Sequence, residues 1–96
     1  MDIYTFKNTL AQTAPSEKLS PELSALWYDA KGEWDRAHRI VQQQSGVSAA
    51  WVHAYLHRKE GDLSNADYWY SRAGRSQSAG TLEEEWEAIV QALLQA

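Results

Sequence analysis

Residues 48–74 read SAAWVHAYLHRKEGDLSNADYWYSRAG, two stretches that flank a single internal glycine, Gly61. On both sides of this glycine, apolar residues recur at spacings of three and four, which is the periodicity of an amphipathic helix. A glycine at such a boundary is typical of a helix end. The pattern predicts a helix hairpin in which Ser48 caps the first helix, Gly61 ends it, and the second helix runs to Ala73.

A related pattern occurs 29 residues earlier, where Gly32 takes the place of Gly61. With this shift Ala25 aligns with Ala54, and Ala37 aligns with Ala66. Small residues at these positions let two helices cross closely, while larger residues one turn away fill the flanking space. The chain therefore contains two related helix hairpins.

Helix-start signals mark the segments outside the second hairpin. Ser20-Pro21-Glu22 combines a capping residue, a proline suited to the first helical position and an acidic first turn. Thr81 followed by Glu84 is a capping box. We predict one domain over residues 1–96, with an N-terminal helix and connection (1–19), a first hairpin (20–45), a second hairpin (48–74), a polar loop (75–80) and a C-terminal helix (81–96).

Composition excludes several classes of protein. The chain has no cysteine, so disulfide scaffolds and thiol nucleophiles are ruled out. Its net charge of −4 disfavours nucleic acid as a partner. It shows neither a signal-peptide pattern nor an apolar run of the roughly 20 residues needed to span a bilayer. We expect a cytoplasmic protein with no membrane or nucleic-acid partner and no cofactor.

The second hairpin resembles the second half of a tetratricopeptide repeat, through Gly61-Asp62, Ala66, Tyr70 and Ala73. The first hairpin keeps Gly32, Ala37 and Val41 but has Gln44 where the last Ala is expected. The run 53–74 also resembles a motif, His-Arg-x-Glu-Gly-Asp followed by Asn-Ala-x-Tyr-Trp, of a family of uncharacterised bacterial and fungal proteins without an assigned activity. The resemblance implies an all-α fold, a right-handed stack of five or six helices with two tetratricopeptide-like hairpins and a C-terminal capping helix.

The tetratricopeptide resemblance also implies a concave groove lined by the first helix of each hairpin. Trp51, Tyr55 and Arg58 share one face of such a helix, and Leu26 and Asp29 would join them from the first hairpin. Aromatic rings beside an arginine suit an extended peptide or a carboxylate. The leading hypothesis is a module that binds a protein or peptide. It favours a protein that is not an enzyme but leaves that question open, and no catalytic residue is assigned.

His53 and His57 form a second candidate face, because residues four apart share one side of a helix. Glu60 extends this face by one turn, and His38 lies on the preceding helix. Two histidines at this spacing can bind a metal, but the sequence assigns no third ligand, and partly buried structural histidines are the simpler interpretation. The alternative function is a small ligand-binding or catalytic domain centred on His53, His57 and Arg58.

The aromatic and acidic residues give three further expectations. Tyr70 belongs to the core and Trp69 to its edge, whereas Tyr68 points outward near Arg39 or Arg72. Five Trp and five Tyr are many for one small core, so exposed aromatics and a homo-oligomer are expected. The four glutamates near Trp86 are interpreted as solvated charges at a helix start. They are Glu83, Glu84, Glu85 and Glu87.

Overall fold

The computed structural model describes residues 1–77 and 79–96, which form six α-helices and one 3-10 turn. The prediction of an all-α stack is confirmed, since the described residues contain no strand. The helices are α1 (Ile3–Asn8), α2 (Pro21–Ala30), α3 (Trp34–Val41), α4 (Val47–Glu60), α5 (Leu63–Arg72) and α6 (Leu82–Leu94), and the 3-10 turn spans Thr9–Ala11.

Side-chain caps begin the helices that the sequence marks most clearly. The Ser20 hydroxyl accepts a hydrogen bond from the Leu23 amide at the start of α2. At the start of α6, the Thr81 side chain accepts from the Glu84 amide, and the Glu84 carboxylate accepts from the Thr81 amide. The predicted capping box is therefore confirmed, and its hydrogen bonds hold the pKa of Glu84 below its ordinary value.

The start of α4 differs from the prediction that Ser48 caps it. The helix begins at Val47, so its cap position is Gly46, two residues before Ser48, and no side chain caps it. Gly46 stands before it with a φ of 104°, a conformation that favours glycine. Because this glycine turns the chain into the helix, Ser48 already lies in the first turn. The predicted polar loop over 75–80 includes Ser78, which lies outside the described residues.

Each predicted hairpin forms, α2 with α3 and α4 with α5. Four alanines at the crossings, those aligned in the sequence repeat, are completely buried. Two helices can approach closely there because no larger side chain separates them. α3 also packs on α4, which joins the two hairpins. The four residues are Ala25, Ala37, Ala54 and Ala66.

The C-terminal helix α6 packs on α1, α2 and α4. The Trp86 indole donates to the backbone carbonyl of Leu26 at 3.0 Å, a buried contact between residues 60 apart in sequence. The Lys7 ammonium forms an ion pair with Glu87, which links α1 to α6. α6 therefore covers the surface formed by α2 and α4, which we call the inner face.

Most of the aromatic side chains are accommodated within this fold. Five of the ten Trp and Tyr residues are buried, whereas Tyr4 and Tyr68 are exposed. Tyr68 points outward as predicted, and its hydroxyl accepts a hydrogen bond from Arg72 at 3.1 Å. Within the part of the chain that is described, no helix combines the length and apolar character needed to cross a bilayer. The cytoplasmic location and the homo-oligomer stay predictions.

Candidate functional site

Polar groups gather on two different faces of α4. Towards α3 and α5 lies the histidine cluster, defined as His38, His53 and His57. Towards α6 lies the Glu85 cluster, defined as Glu85 with the side chains of Trp51, Arg58 and Tyr70. Residues on α4 divide between the two clusters according to helical periodicity, because His53 and His57 lie four apart on one face.

The histidine cluster brings three imidazole rings together from α3 and α4. The Nε2 atoms of His38 and His53 are 3.0 Å apart. The rings of His53 and His57 stack with centroids 4.9 Å apart, and the His38 ring meets the His57 ring edge-on at 5.1 Å. One ring nitrogen from each histidine lies within 4.8 Å of the others. The predicted shared face of His53 and His57 is present, and His38 completes a group of three.

Two tryptophans hold the rings of the histidine cluster from either side. Trp34 stacks on His38 with centroids 4.9 Å apart, and Trp69 stacks on His53 at 4.0 Å. The Trp34 indole in turn donates to the carbonyl of Leu56 at 2.8 Å, which anchors that ring to α4. Since flat rings enclose the imidazoles, their rotation is restricted.

Glu60 orients the third ring. Its carboxylate is 2.7 Å from Nδ1 of His57, so Nδ1 donates the hydrogen bond and Nε2 is the ring nitrogen not bonded to Glu60. Burial, together with the neighbouring charges of His38 and His57, lowers the pKa of His53 to about 4. Burial also lowers the pKa of His38. These two imidazoles are therefore neutral at pH 7.

A cleft of about 250 Å³ reaches the histidine cluster beside the turn that precedes α4. His53 and Trp69 form part of its wall, and Arg72 lies at its edge. His53 and His57 are themselves buried, whereas His38 is half-buried. The cleft gives a small ion or molecule a route to His53 without opening of the helix packing.

The Glu85 cluster is a buried carboxylate with several donors. Arg58 Nη1 donates to Glu85 Oε1 at 2.8 Å, and the Tyr70 hydroxyl lies 2.7 Å from Oε2. The Trp51 indole donates to Oε2 at 3.3 Å. Arg58 also donates to the carbonyl of Gly80. Burial and the neighbouring Glu85 charge raise the pKa of Tyr70, which keeps its hydroxyl protonated as a donor.

The interpretation of all four glutamates as solvated charges is therefore wrong for Glu85, which is 4% exposed. α6 turns this one side chain into the interior, where Arg58 neutralises its charge and the Tyr70 hydroxyl donates a hydrogen bond to it. Glu83 and Glu84, which precede it, remain exposed as expected. A local helix-start signal describes the charges of the first turn, but only the packing of α6 decides which of them is buried.

A third polar group lies beside a larger cleft on the inner face. This inner cleft has a volume of about 480 Å³ and is bounded by the N-terminal segment, α2, α4 and α6. Asp29 lies at its floor and is 2% exposed. Its carboxylate accepts from the Tyr55 hydroxyl at 3.0 Å and from the Lys59 ammonium at 2.9 Å. Burial is the main cause that raises the pKa of Tyr55, and the neighbouring Asp29 charge raises it as well.

The five residues assigned to a ligand site by sequence thus fall into three places. His53 and His57 belong to the histidine cluster, Tyr55 lines the inner cleft, and Trp51 and Arg58 hold Glu85. Arg58 is not joined to the histidines as the alternative function requires, because its hydrogen bonds run to α6 and Gly80.

The sequence gives little indication that Asp29 and Glu85 have buried polar partners. Asp29 was placed on the groove face by the tetratricopeptide alignment, but nothing there indicates its pairing with Lys59. Glu85 stands among three other glutamates without a distinguishing pattern. One local hint that Glu85 faces inward is its place next to Trp86, three residues after the start of α6.

Comparisons with known proteins give no relative for this arrangement: no family model matches the chain, and no curated protein or solved structure matches it significantly. Inferences about function therefore depend on the geometry of the clusters and clefts described above.

Proposed function

We propose that the domain is a protein- or peptide-binding module whose partner inserts an apolar side chain into the inner cleft. The observation that carries this proposal is the cleft itself, about 480 Å³ in volume and lined mainly by apolar surface. Its size is within the range of roughly 300–1,000 Å³ typical of ligand pockets. Leu10, Ala30, Leu82 and Trp86 supply its apolar walls.

The position of the cleft also supports a binding role. In tetratricopeptide proteins the first helix of each hairpin lines the concave, ligand-binding surface. The inner cleft lies between α2 and α4, the first helices of the two hairpins, and both Asp29 and Tyr55 belong to the face that the resemblance assigns to binding. This support is an analogy at the level of fold.

The polar groups at the cleft define the chemistry of the partner. The Asp29 carboxylate is already paired with the Lys59 ammonium and hydrogen-bonded to Tyr55. A ligand in the cleft therefore needs no charge to balance it. Lys7 is likewise paired with Glu87 at the rim. The binding energy would therefore come from an apolar anchor, such as a leucine or aromatic side chain, with the surrounding polar residues contacting the partner's backbone.

The experiment uses two matched alanines on exposed parts of helices. Ala30 lines the cleft, whereas Ala92 lies on α6 and is not among the lining residues. Peptides would be selected from a random display library on the immobilised domain, and their dissociation constants measured for the wild type, Ala30→Arg and Ala92→Arg. We expect Ala30→Arg to weaken binding by about tenfold or more, which is a loss of 1.4 kcal/mol.

Equal binding by all three proteins would refute the inner cleft as the site, and so would equal weakening by both substitutions. Amide chemical-shift mapping with a selected peptide provides a second readout. The shifts should concentrate on α2, the second half of α4 and the start of α6. Shifts confined to α3 and α5 would also contradict the proposal.

A further inference from the structure

We propose that His38, His53 and His57 form a binding site for a divalent transition-metal ion of the zinc class. This site lies on the other side of α4 from the inner cleft and is independent of the proposed peptide binding. The first argument is proximity, since one nitrogen from each ring lies within 4.8 Å of the other two. Three nitrogens bound to one tetrahedral ion at about 2.0–2.1 Å are separated by about 3.4 Å. Small ring rotations therefore suffice.

The second argument is the carboxylate behind His57. A metal-binding histidine usually donates its second ring N–H to a carboxylate or carbonyl, which fixes the ring and makes the binding nitrogen more basic. Glu60 accepts such a bond from Nδ1 of His57 at 2.7 Å, and Nε2 is the nitrogen that remains. The cluster thus contains both ligands and an orienting carboxylate.

The third argument is rigidity. All three histidines lie on helices, His38 on α3 and the others on α4. Trp34 and Trp69 stack on His38 and His53 and limit their rotation. A site built on packed helices is largely formed before the ion binds, so little conformational entropy is lost on binding.

The ligand set selects the kind of ion. Imidazole nitrogen suits Zn²⁺, Cu²⁺, Ni²⁺ and Fe²⁺, whereas Mg²⁺ and Ca²⁺ prefer oxygen ligands. The chain supplies no thiolate, because it has no cysteine. Three protein ligands leave a fourth position for water or a small anion. The cleft beside His53, which Arg72 borders, reaches one of the three histidines from the surface.

A competing arrangement uses the same edge of α4. His57, Glu60 and Asp62 also lie within 4.8 Å of one another, but both acids are exposed. Exposed acids of this kind are common without a bound ion. An ion held there would not use His38 or His53. The two sites are therefore distinguished by substitutions that affect one and not the other.

The experiment uses the full chain without a histidine tag, stripped with a chelator. Zn²⁺ affinity at pH 7.5 is measured by titration calorimetry, and Co²⁺ reports ligand geometry by its visible absorption. We expect one ion per chain with a tetrahedral Co²⁺ spectrum. The half-buried His38 is the first target, and His38→Gln should weaken Zn²⁺ binding more than the 10–100-fold typical of losing an orienting partner.

Two further variants separate the candidate sites. Glu60→Gln should weaken Zn²⁺ binding by about 10–100-fold, as loss of an orienting carboxylate does. Asp62→Asn retains a capping residue for α5, since asparagine caps as well as aspartate, and should leave the affinity unchanged. Binding that survives His38→Gln but is lost in Asp62→Asn would overturn the proposal in favour of the exposed acids.

Wild-type measurements keep the test valid if a variant fails to fold. In histidine-selective NMR of the wild type, Zn²⁺ should shift the ring nitrogens of all three histidines together. Ring resonances that stay in place at millimolar Zn²⁺, or a wild type that binds no ion, would overturn the proposal. Peptide binding at the inner cleft is measured separately, so the failure of one proposal is distinguishable from the failure of the other.

Discussion

The Glu85 cluster and the histidine cluster lie on different faces of one helix, and their polar groups are used differently. Glu85 receives hydrogen bonds from Arg58, Tyr70 and Trp51, so its charge is balanced and its oxygens are occupied. In the histidine cluster the rings mainly contact one another, and Glu60 is the carboxylate bonded to it. A buried group with a full set of partners stabilises a fold, whereas ring nitrogens that bond to one another would have to exchange that contact for an added ligand.

The largest effect should come from removing the centre of the Glu85 cluster. Glu85→Ala leaves the partly buried Arg58 charge and the Tyr70 hydroxyl without their acceptor, and we expect a loss of about 3–5 kcal/mol in the free energy of unfolding. Urea denaturation measures this loss. The matched control Glu83→Ala removes an exposed glutamate from the same turn and should change stability by less than about 0.5 kcal/mol. Equal effects of the two substitutions would contradict the assigned difference.

An effect of intermediate size is expected from the histidine cluster, whose contribution to the free energy of unfolding should depend on pH. The pKa of His53 is about 4 in the folded chain against an ordinary value of 6.5. The unfolded chain therefore takes up a proton at higher pH, and stability should fall as the pH drops from 6.5 towards 4, by up to about 3 kcal/mol. Protonation would place a charge beside His38 and His57, with Arg72 at the adjoining cleft.

The measurement is urea denaturation of chelator-treated protein across this pH range. The comparison variant His53→Phe keeps a flat ring on Trp69 but removes the titrating group. We expect its stability to decline less steeply than that of the wild type between pH 6.5 and 4. Parallel profiles for the two proteins would mean that His53 does not couple folding to protonation.

A smaller effect should follow from removing one donor of the Glu85 cluster and leaving the others. Tyr70→Phe deletes a hydroxyl bonded to the carboxylate at 2.7–2.8 Å. Hydrogen bonds to a charged group contribute about 1.5–3 kcal/mol, so we expect about 2 kcal/mol by thermal or urea unfolding. Tyr68→Phe, which removes an exposed hydroxyl, should cost less than about 0.5 kcal/mol. A Tyr70→Phe variant as stable as its control would indicate that the remaining donors suffice.

Local signals in the sequence predicted the helices well. Ser20 and the Thr81 capping box act on amides three residues away, so their effect is visible in a short window of sequence. Gly61 has the positive φ of 90° expected of a helix-ending glycine. The error at Ser48 also has a local origin, because the backbone conformation of Gly46 turns the chain into α4 two residues before the predicted cap.

The clusters were harder to predict because they depend on which helices meet. His53 and His57 share a face by helical spacing alone, but the contribution of His38 requires the packing of α3 on α4. Glu85 is separated from Arg58 by 27 residues and from Trp51 by 34. No spacing rule links positions so distant in sequence. The division of Trp51, Tyr55 and Arg58 between two places follows from the position of α6.

The position of α6 also has a consequence for the order in which the chain folds. The contacts within each hairpin are local, so either hairpin can form as soon as its own residues are available. The inner face is covered only when α6 packs on it, and α6 follows all four helices of the hairpins in the chain. Trp86 bonds to Leu26 across 60 residues. During synthesis the apolar surfaces of α2 and α4 are therefore exposed longest, and this interval is when the nascent chain is most prone to aggregate.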